Sequence, residues 1–302
     1  MRFSETTLAI VGPTGSGKSA VALALATLLG REIVSCDSVQ VFQEFVIGCA
    51  KPSTHERALC PHHLLDVALW HENFDAERYR QLAAPIVQDL QKSGRPAIVC
   101  GGTGLYLRAL RFGLVDLPKT QQELRQALYE EEARQPGSLY ARLWKTDEAS
   151  ARAIDPHNLV HVTRALEIAA LTGEPASVVR ARHGFSQEEN PMQVVYLVWP
   201  DALLRARIVA RAHAMVQEGL LDEVAGLLAS GVSPTCRPMR SLGYKEACAV
   251  LLGEEKAVGL AERIATATWA YARRQRTWFK KERQVTLLPM QSIDQAVETL
   301  RG

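Results

Sequence analysis

Residues Gly12-Pro13-Thr14-Gly15-Ser16-Gly17-Lys18-Ser19 form a complete G-x-x-x-x-G-K-[ST] phosphate-binding loop, and its flanks are in the right order. The apolar run Leu8-Ala9-Ile10-Val11 reads as a buried strand feeding the loop, and the helix-prone run from Ala20 to Ala26 follows it. The physics requires that order. Glycines let successive backbone N–H groups turn inward around an anion, and a helix N-terminus adds a favourable dipole. Lys18 then pairs with phosphate oxygens while the Ser19 hydroxyl meets a magnesium ion. A chance Gly/Ser turn would not reproduce all the fixed positions together with both flanks. The chain is therefore expected to bind a di- or triphosphate, the diphosphate/nucleotide site being Gly12 to Ser19.

Composition narrows the setting. At 302 residues and 47% hydrophobic content the chain can bury a sizeable core, in one large domain or two modest ones. A net charge of +2 announces no polyelectrolyte partner, so any nucleic-acid surface must be local. The six cysteines are scattered without a C-x-x-C pair, which argues against the common zinc frameworks and for a reduced, cytoplasmic setting. No run approaches membrane-spanning length, and the first strand begins without a leader-like segment; a soluble intracellular protein is expected.

The first hundred residues alternate strand and helix. Glu32 to Cys36 reads as a second strand ending at Asp37, residues 75 to 92 as a helix, and Ala97 to Cys100 as a third strand running into Gly101-Gly102-Thr103-Gly104. This βαβ pattern implies an α/β fold with a parallel sheet, whose ligands gather at the carboxyl ends of the strands. Gly12 to Ser19, Asp37 and Gly101 to Gly104 should therefore converge. From Leu114 to Asn190 the strands vanish and charged helical stretches take over: Gln121 to Arg134, Ser138 to Lys145 and Leu159 to Leu171, the last stopped by Thr172-Gly173. Val194 to Trp199 then restores a buried strand. The reading is a P-loop α/β core (1–113 and 191–302) interrupted by an all-helical insertion (114–190), with a single mixed domain as the plainer alternative. After Asp201, apolar residues from Leu204 to Leu228 suggest one long helix carrying Arg207 and Arg211 one turn apart; a further helix runs from 260 to 281 and a closing strand from Val285 to Leu288.

Three segments carry possible chemistry. Asp37, at a strand end, could coordinate magnesium, take a proton from an acceptor, or simply close a turn. Cys100 to Leu107 sets three glycines beside the Thr103 hydroxyl; glycines there would let a ligand approach the backbone. A P-loop ATPase would place a magnesium-binding acid at this strand end, and the nearest substitute, Asp66, reads equally as a turn acid. The stretch from Tyr271 to Arg283 interleaves cations with aromatic rings, which suits either RNA or a solvated helix face.

Taken in order, these residues resemble the tRNA dimethylallyltransferase (isopentenyltransferase) family. The matching set is Gly12 to Ser19, Asp37-Ser-Val-Gln40, Ile47 to Pro52, Pro61 to Asp66, Gly101 to Tyr106, Arg164-Ala-Leu-Glu167, Ser241-Leu-Gly-Tyr244, and Tyr271 to Gln275 leading to Thr277-Trp278. The resemblance implies transfer of a dimethylallyl group from dimethylallyl diphosphate to N6 of the adenosine 3′ of the anticodon, in tRNAs reading codons that begin with U. It also implies a magnesium requirement and a helical insertion that grips the anticodon stem-loop. On the matching positions Asp37 is the general base, Thr103 hydrogen-bonds near the reacting centre and Arg211 helps bind diphosphate. Facing tRNA would be Asp37, Ser38, Val39, Gln40, Thr103, Arg125, His161, Val162, Thr163, Arg164, Arg240, Gly243, Tyr244 and Lys245, with Arg273, Arg274 and Arg276 on the basic helix. No protein partner is implied. Val39 and Cys49 stand where family members usually show Met or Ala, and Thr. Rival readings are an adenylate isopentenyltransferase, a small-molecule P-loop kinase and a nucleotide-gated RNA-binding protein.

Overall fold

The computed structural model describes residues 5–114, 121–183 and 187–301, which divide into two compact units, one of residues 1–111 with 189–302 and one of residues 112–188. The first unit is built on six parallel strands: β1 (Thr7–Val11), β2 (Ile33–Ser35), β3 (His62–His63), β4 (Ile98–Gly101), β5 (Met192–Val198) and β6 (Val285–Pro289). Their order across the sheet is β3-β2-β4-β1-β5-β6, all neighbours parallel. β1 is buried along its whole length, as a central parallel strand covered on both faces must be, and its continuous apolar run follows from that. Val11 registers with Gly101 on one side and Tyr196 on the other, while Ser35 registers with Cys100. The carboxyl ends of β1, β2 and β4 therefore lie side by side.

Helices supply the layers. α1 (Lys18–Leu29) follows the P-loop and stops at Gly30, whose left-handed backbone no other L-residue adopts as cheaply. α2 (Thr54–Leu59) opens with a capping box between Ser53 and Glu56, α3 (Ala76–Lys92) is capped by Asp75, and α4 (Gly104–Phe112) springs from the glycine-rich loop. The single long helix expected after Asp201 is two helices. α10 (Asp201–Gln217) ends and α11 (Leu220–Ala229) begins around Gly219, at φ 97°, a conformation that interrupts helical hydrogen bonding although the apolar periodicity runs on.

The second unit contains α5 (Gln122–Arg134), α6 (Ser138–Thr146), α7 (Glu148–Ala153), α8 (Leu159–Thr172) and α9 (Ala176–His183), with no strand among its described residues. Leu128, Leu139, Leu143, Val162, Ala165 and Ile168 form its own core. α8 ends at Gly173 in the left-handed conformation expected of a C-cap. The first unit is completed by α12 (Tyr244–Leu251), α13 (Leu260–Phe279) and α14 (Ile293–Arg301). Among the described residues no helix is long and apolar enough to cross a membrane.

Candidate active site

The P-loop is braced from outside by its carbonyls. Trp199 Nε1 donates to the Ser16 carbonyl at 2.8 Å and Arg207 Nε donates to the Gly15 carbonyl at 2.9 Å, with the guanidinium 4.7 Å from the Trp199 ring centroid. Two amides are also spent internally, Thr14 N–H on Gln275 Oε1 (2.9 Å) and Ser16 N–H on the Pro13 carbonyl (3.1 Å). The amides of Gly15, Gly17, Lys18 and Ser19 have no protein acceptor among the described residues, and they stand at the start of α1, where an anion is favoured. Burial pushes the Lys18 ammonium below its ordinary range; the neighbouring Arg211 lowers it further and Asp37 pulls it back up. An incoming diphosphate would restore the charged form.

Asp37 lies two residues past β2. Its Oδ1 accepts from the Val39 N–H (2.9 Å) and the Gln40 N–H (3.3 Å), which fixes the carboxylate and caps the turn behind it. Thr103 is held over the same turn: its hydroxyl accepts from the Ser38 N–H at 3.1 Å, and its own N–H donates to the Cys36 carbonyl at 3.2 Å. The thiols nearby are inert. Burial pushes Cys36 and Cys49 up to about 12 and Cys100 to about 11.

Two cavities meet here. A small one of about 100 Å³ includes Lys18, Ser19, Ser35, Asp37, Arg211 and Gln275 in its walls. A larger one of about 540 Å³ is lined by Asp37, Thr103, Arg211, Arg240, Lys245 and Arg274, among others. Asp37 and Arg211 belong to both. Arg211 is desolvated, which lowers its pKa, with the Asp37 charge acting in the opposite direction. Ser38 and Val39 also line the larger cavity.

Several positions expected to face tRNA do otherwise. Val162 and Thr163 are fully buried in the second unit, because α8 turns that face into its core; their side chains pack rather than touch RNA. Tyr244 is fully buried and Gly243 is buried beside it. The Tyr244 hydroxyl accepts from the Gly48 N–H (3.1 Å) and donates to Glu223, whose two carboxylate oxygens accept from the Val46 and Ile47 N–H groups at 2.9 and 2.7 Å. Tyr244 thus supports the loop that carries Cys49. Gln40 is likewise committed inward: its Nε2 donates to the Cys49 and Ala50 carbonyls and its Oε1 accepts from Ser35. Arg276 is tied to Asp201 at 2.7 Å and does not line the larger cavity, whereas Arg273 and Arg274 are exposed on α13. In the second unit Arg125 and Arg164 both pair with Glu167, a fully buried carboxylate, at 3.0 and 2.8 Å, and His161 is exposed one turn before Arg164.

The glycines after β4 also have a different purpose from the one expected. A side chain on Gly101 would collide with the Cys36 backbone, on Gly102 with Gln275, and on Gly104 with the Trp278 ring. They admit α13 and the β2 strand end, not a ligand. Gln275 Nε2 donates to the Gly102 carbonyl at 2.9 Å, completing a bridge from the P-loop to this loop. Asp66 is resolved as a structural acid. Burial alone would raise its pKa, but hydrogen bonds from Lys51 (2.6 Å) and Arg57 (2.8 Å) hold it below the usual range. Sequence reasoning assigned no role to Gln275, Glu223, Trp199 or Tyr271, although Tyr271 and Gln275 stood inside a matching motif.

The sequence profile described as IPP transferase matches residues 40–282. The chain is 46% identical over 279 residues to a tRNA dimethylallyltransferase of Anaeromyxobacter dehalogenans, covering 91% of this chain and 92% of that protein. It is 41% identical over 284 residues to a tRNA dimethylallyltransferase of Geobacter metallireducens, covering 93% and 92%. Among solved structures it superposes on the full-length tRNA isopentenylpyrophosphate transferase of Bacillus halodurans with a TM-score of 0.71 at 32% identity, covering 98% of this chain and 94% of that one. It also superposes on a eukaryotic dimethylallyltransferase acting on tRNA with a TM-score of 0.77 at 27% identity, covering 97% and 75%. With a profile spanning most of its length, and relatives this similar across nearly all of it, the chain belongs to the IPP transferase family.

Proposed function

We propose that the protein transfers the dimethylallyl group of dimethylallyl diphosphate to N6 of adenosine-37 in tRNAs reading codons that begin with U, releasing diphosphate. The observation that carries this reading is the meeting of two cavities at Asp37 and Arg211, one on the P-loop and one large enough for an extruded nucleoside. The donor's diphosphate sits on the free amides of the P-loop, paired by Lys18 and Arg211. The acceptor base enters the larger cavity, leaving its place in the anticodon loop at a cost of a few kcal/mol that the remaining tRNA contacts offset.

The adenine amino group is a weak nucleophile because its lone pair is delocalised into the ring. As the C1–O bond of the donor breaks, its electron pair leaves with the diphosphate, where Lys18 and Arg211 meet the growing charge. The N6 lone pair forms the new bond to C1, and the N6 proton passes to the Asp37 carboxylate. Thr103, fixed by Ser38, orients the amino group. Ser19 suits a magnesium ion carried by the diphosphate. Among the described residues no group of three or more His, Cys, Asp or Glu is placed to hold a metal ion, so such an ion would arrive with the diphosphate. That ion would supply additional charge neutralisation on the leaving group.

On the RNA side, Arg240, Lys245, Arg273 and Arg274 present exposed cations that position phosphates. Residues 112–188 would supply a second surface for the anticodon stem-loop, with exposed His161 beside Arg125 and Arg164, two cations that share the single charge of buried Glu167. Radiolabelled dimethylallyl diphosphate offered in parallel with tRNA, with free AMP, and with ATP plus small acceptors tests the reading. Label should enter tRNA alone; label in AMP, or phosphate transfer from ATP to a small acceptor, overturns it.

A further inference from the structure

Thr14, Asp37, Cys49, Arg211 and Tyr271 are the side chains that line both cavities. On the prenyl-transfer reading, on which this inference rests, the donor carbon and the acceptor nitrogen meet among them. Asp37 has the proton and Arg211 the diphosphate. Thr14 is held by its amide to Gln275, and the Cys49 thiol, pushed up to about 12 by burial, stays neutral with Sγ donating to the Phe45 carbonyl at 3.0 Å. The remaining group is the aromatic ring of Tyr271.

We infer that Tyr271 is a further catalytic residue, whose ring face stabilises the allylic cation that develops on the donor's five-carbon group as the C1–O bond opens. The electron pair of that bond departs with diphosphate, leaving positive charge shared between C1 and the branched carbon until N6 bonds to C1. Among the five side chains at the junction only Asp37 is anionic, and it is engaged with the proton, while the departing diphosphate is drawn towards Lys18 and Arg211. An aromatic face within about 6 Å attracts a cation through its quadrupole, most strongly where water is excluded. The ring already accepts one cation in this setting, the Arg274 guanidinium 5.6 Å from its centroid. Its phenol, raised to about 12 chiefly by burial, is neutral throughout the working range. Tyr271 stands on α13 one turn before the Gln275 bridge, half-buried at the wall shared by the two cavities.

The test is single-turnover prenylation of tRNA by the wild type, Tyr271→Phe, Tyr271→Leu and a series with phenylalanines of increasing fluorine content at position 271. Phe should stay near the wild-type rate. Leu should be slower by about thirtyfold, with donor and tRNA affinities unchanged. Across the fluorinated series, which preserves shape while draining the ring face of negative potential, the logarithm of the rate should fall with each fluorine. The series also covers the case in which the Leu variant does not fold. A pentafluorinated ring as fast as Phe overturns the inference, and so does a Phe variant as slow as Leu, which would make the hydroxyl the active part. A wild type that transfers no label to tRNA overturns the proposed function as well, and is read in the same experiment.

Discussion

Gln275 is hydrogen-bonded to Thr14: the glutamine Oε1 accepts the Thr14 backbone N–H at 2.9 Å, while its Nε2 donates to the Gly102 carbonyl at the same length. One buried amide therefore sets the spacing between the phosphate loop and the Thr103 loop, and both of its functional atoms are used. Gln275→Leu should lower stability by about 2 kcal/mol, since the Gly102 C=O would be left buried without a partner and the half-buried Thr14 N–H would lose its acceptor. It should also raise the KM for the donor more than that for tRNA. Denaturant melts and steady-state kinetics on the one variant check both.

Asp37→Asn retains the turn, because an amide oxygen can still accept from Val39 and Gln40, and removes only the base. Binding of tRNA and donor should persist while single-turnover prenylation drops by about a hundredfold to ten-thousandfold. Near-normal turnover would make Asp37 a binding residue and sink the mechanism.

The charge on Lys18 has a pH signature. Because burial depresses its pKa below the ordinary 10.5, the binding-competent ammonium is present at low pH and is lost as pH rises through that lowered value. The alkaline limb of kcat/KM for the donor should therefore fall below pH 10.5, and the limb of kcat should lie higher, since bound diphosphate favours the charged form. Lys18→Ala should cost on the order of a hundredfold or more in rate. Robust ATPase turnover that ignores dimethylallyl diphosphate would contradict this use of the loop.

On α13 the basic residues separate by partner. Arg273→Ala and Arg274→Ala should weaken all tRNAs alike, each flattening the log–log salt dependence by about one unit. Arg276→Ala should leave that slope unchanged, because its guanidinium is committed to Asp201. Filter binding over a salt series discriminates; a slope that responds to Arg276 and not to its neighbours would reverse the assignment.

Glu223 accepts two backbone amides on separate oxygens. Glu223→Gln keeps the shape but turns one of those acceptors into a donor. The 46–50 loop should loosen by about 1–2 kcal/mol, seen as a roughly tenfold higher KM for tRNA together with weaker donor binding, since Cys49 on this loop lines both cavities. An unchanged KM for tRNA would show that the loop holds its place without the carboxylate.

The P-loop, Asp37 and Thr103 were legible because each depends on a short segment at a strand end, where spacing alone fixes geometry. The same holds for the Gly173 stop. What sequence could not reveal is which way a helix faces. Val162 and Thr163 sit beside exposed His161 yet are buried, Val162 in the core that Leu139 and Leu143 share, and only that packing decides which way the helix faces. Likewise Arg276, one turn beyond exposed Arg273, is the one ion-paired to Asp201, and Gly102 and Gly104 answer to Gln275 and Trp278, more than 170 residues away in sequence. Gly219 breaks a helix whose apolar period gives no sign of a break, because the period reports burial and not hydrogen bonding.

The strand neighbours β1 and β5 are joined in register from Thr7 to Met192, with the helical unit strung between them. The first strand emerges early and must wait for most of the polypeptide before its second partner exists, and Tyr271 and Gln275 come later still. Native pairings so distant in sequence close slowly. During synthesis the helical unit can collapse by itself while the unpaired β1 edge remains a site for mispairing. A ribosome-bound chain halted before α13 would thus carry an intact phosphate-loop sequence and no working centre, and translation speed through residues 112–260 should affect how much of the protein folds.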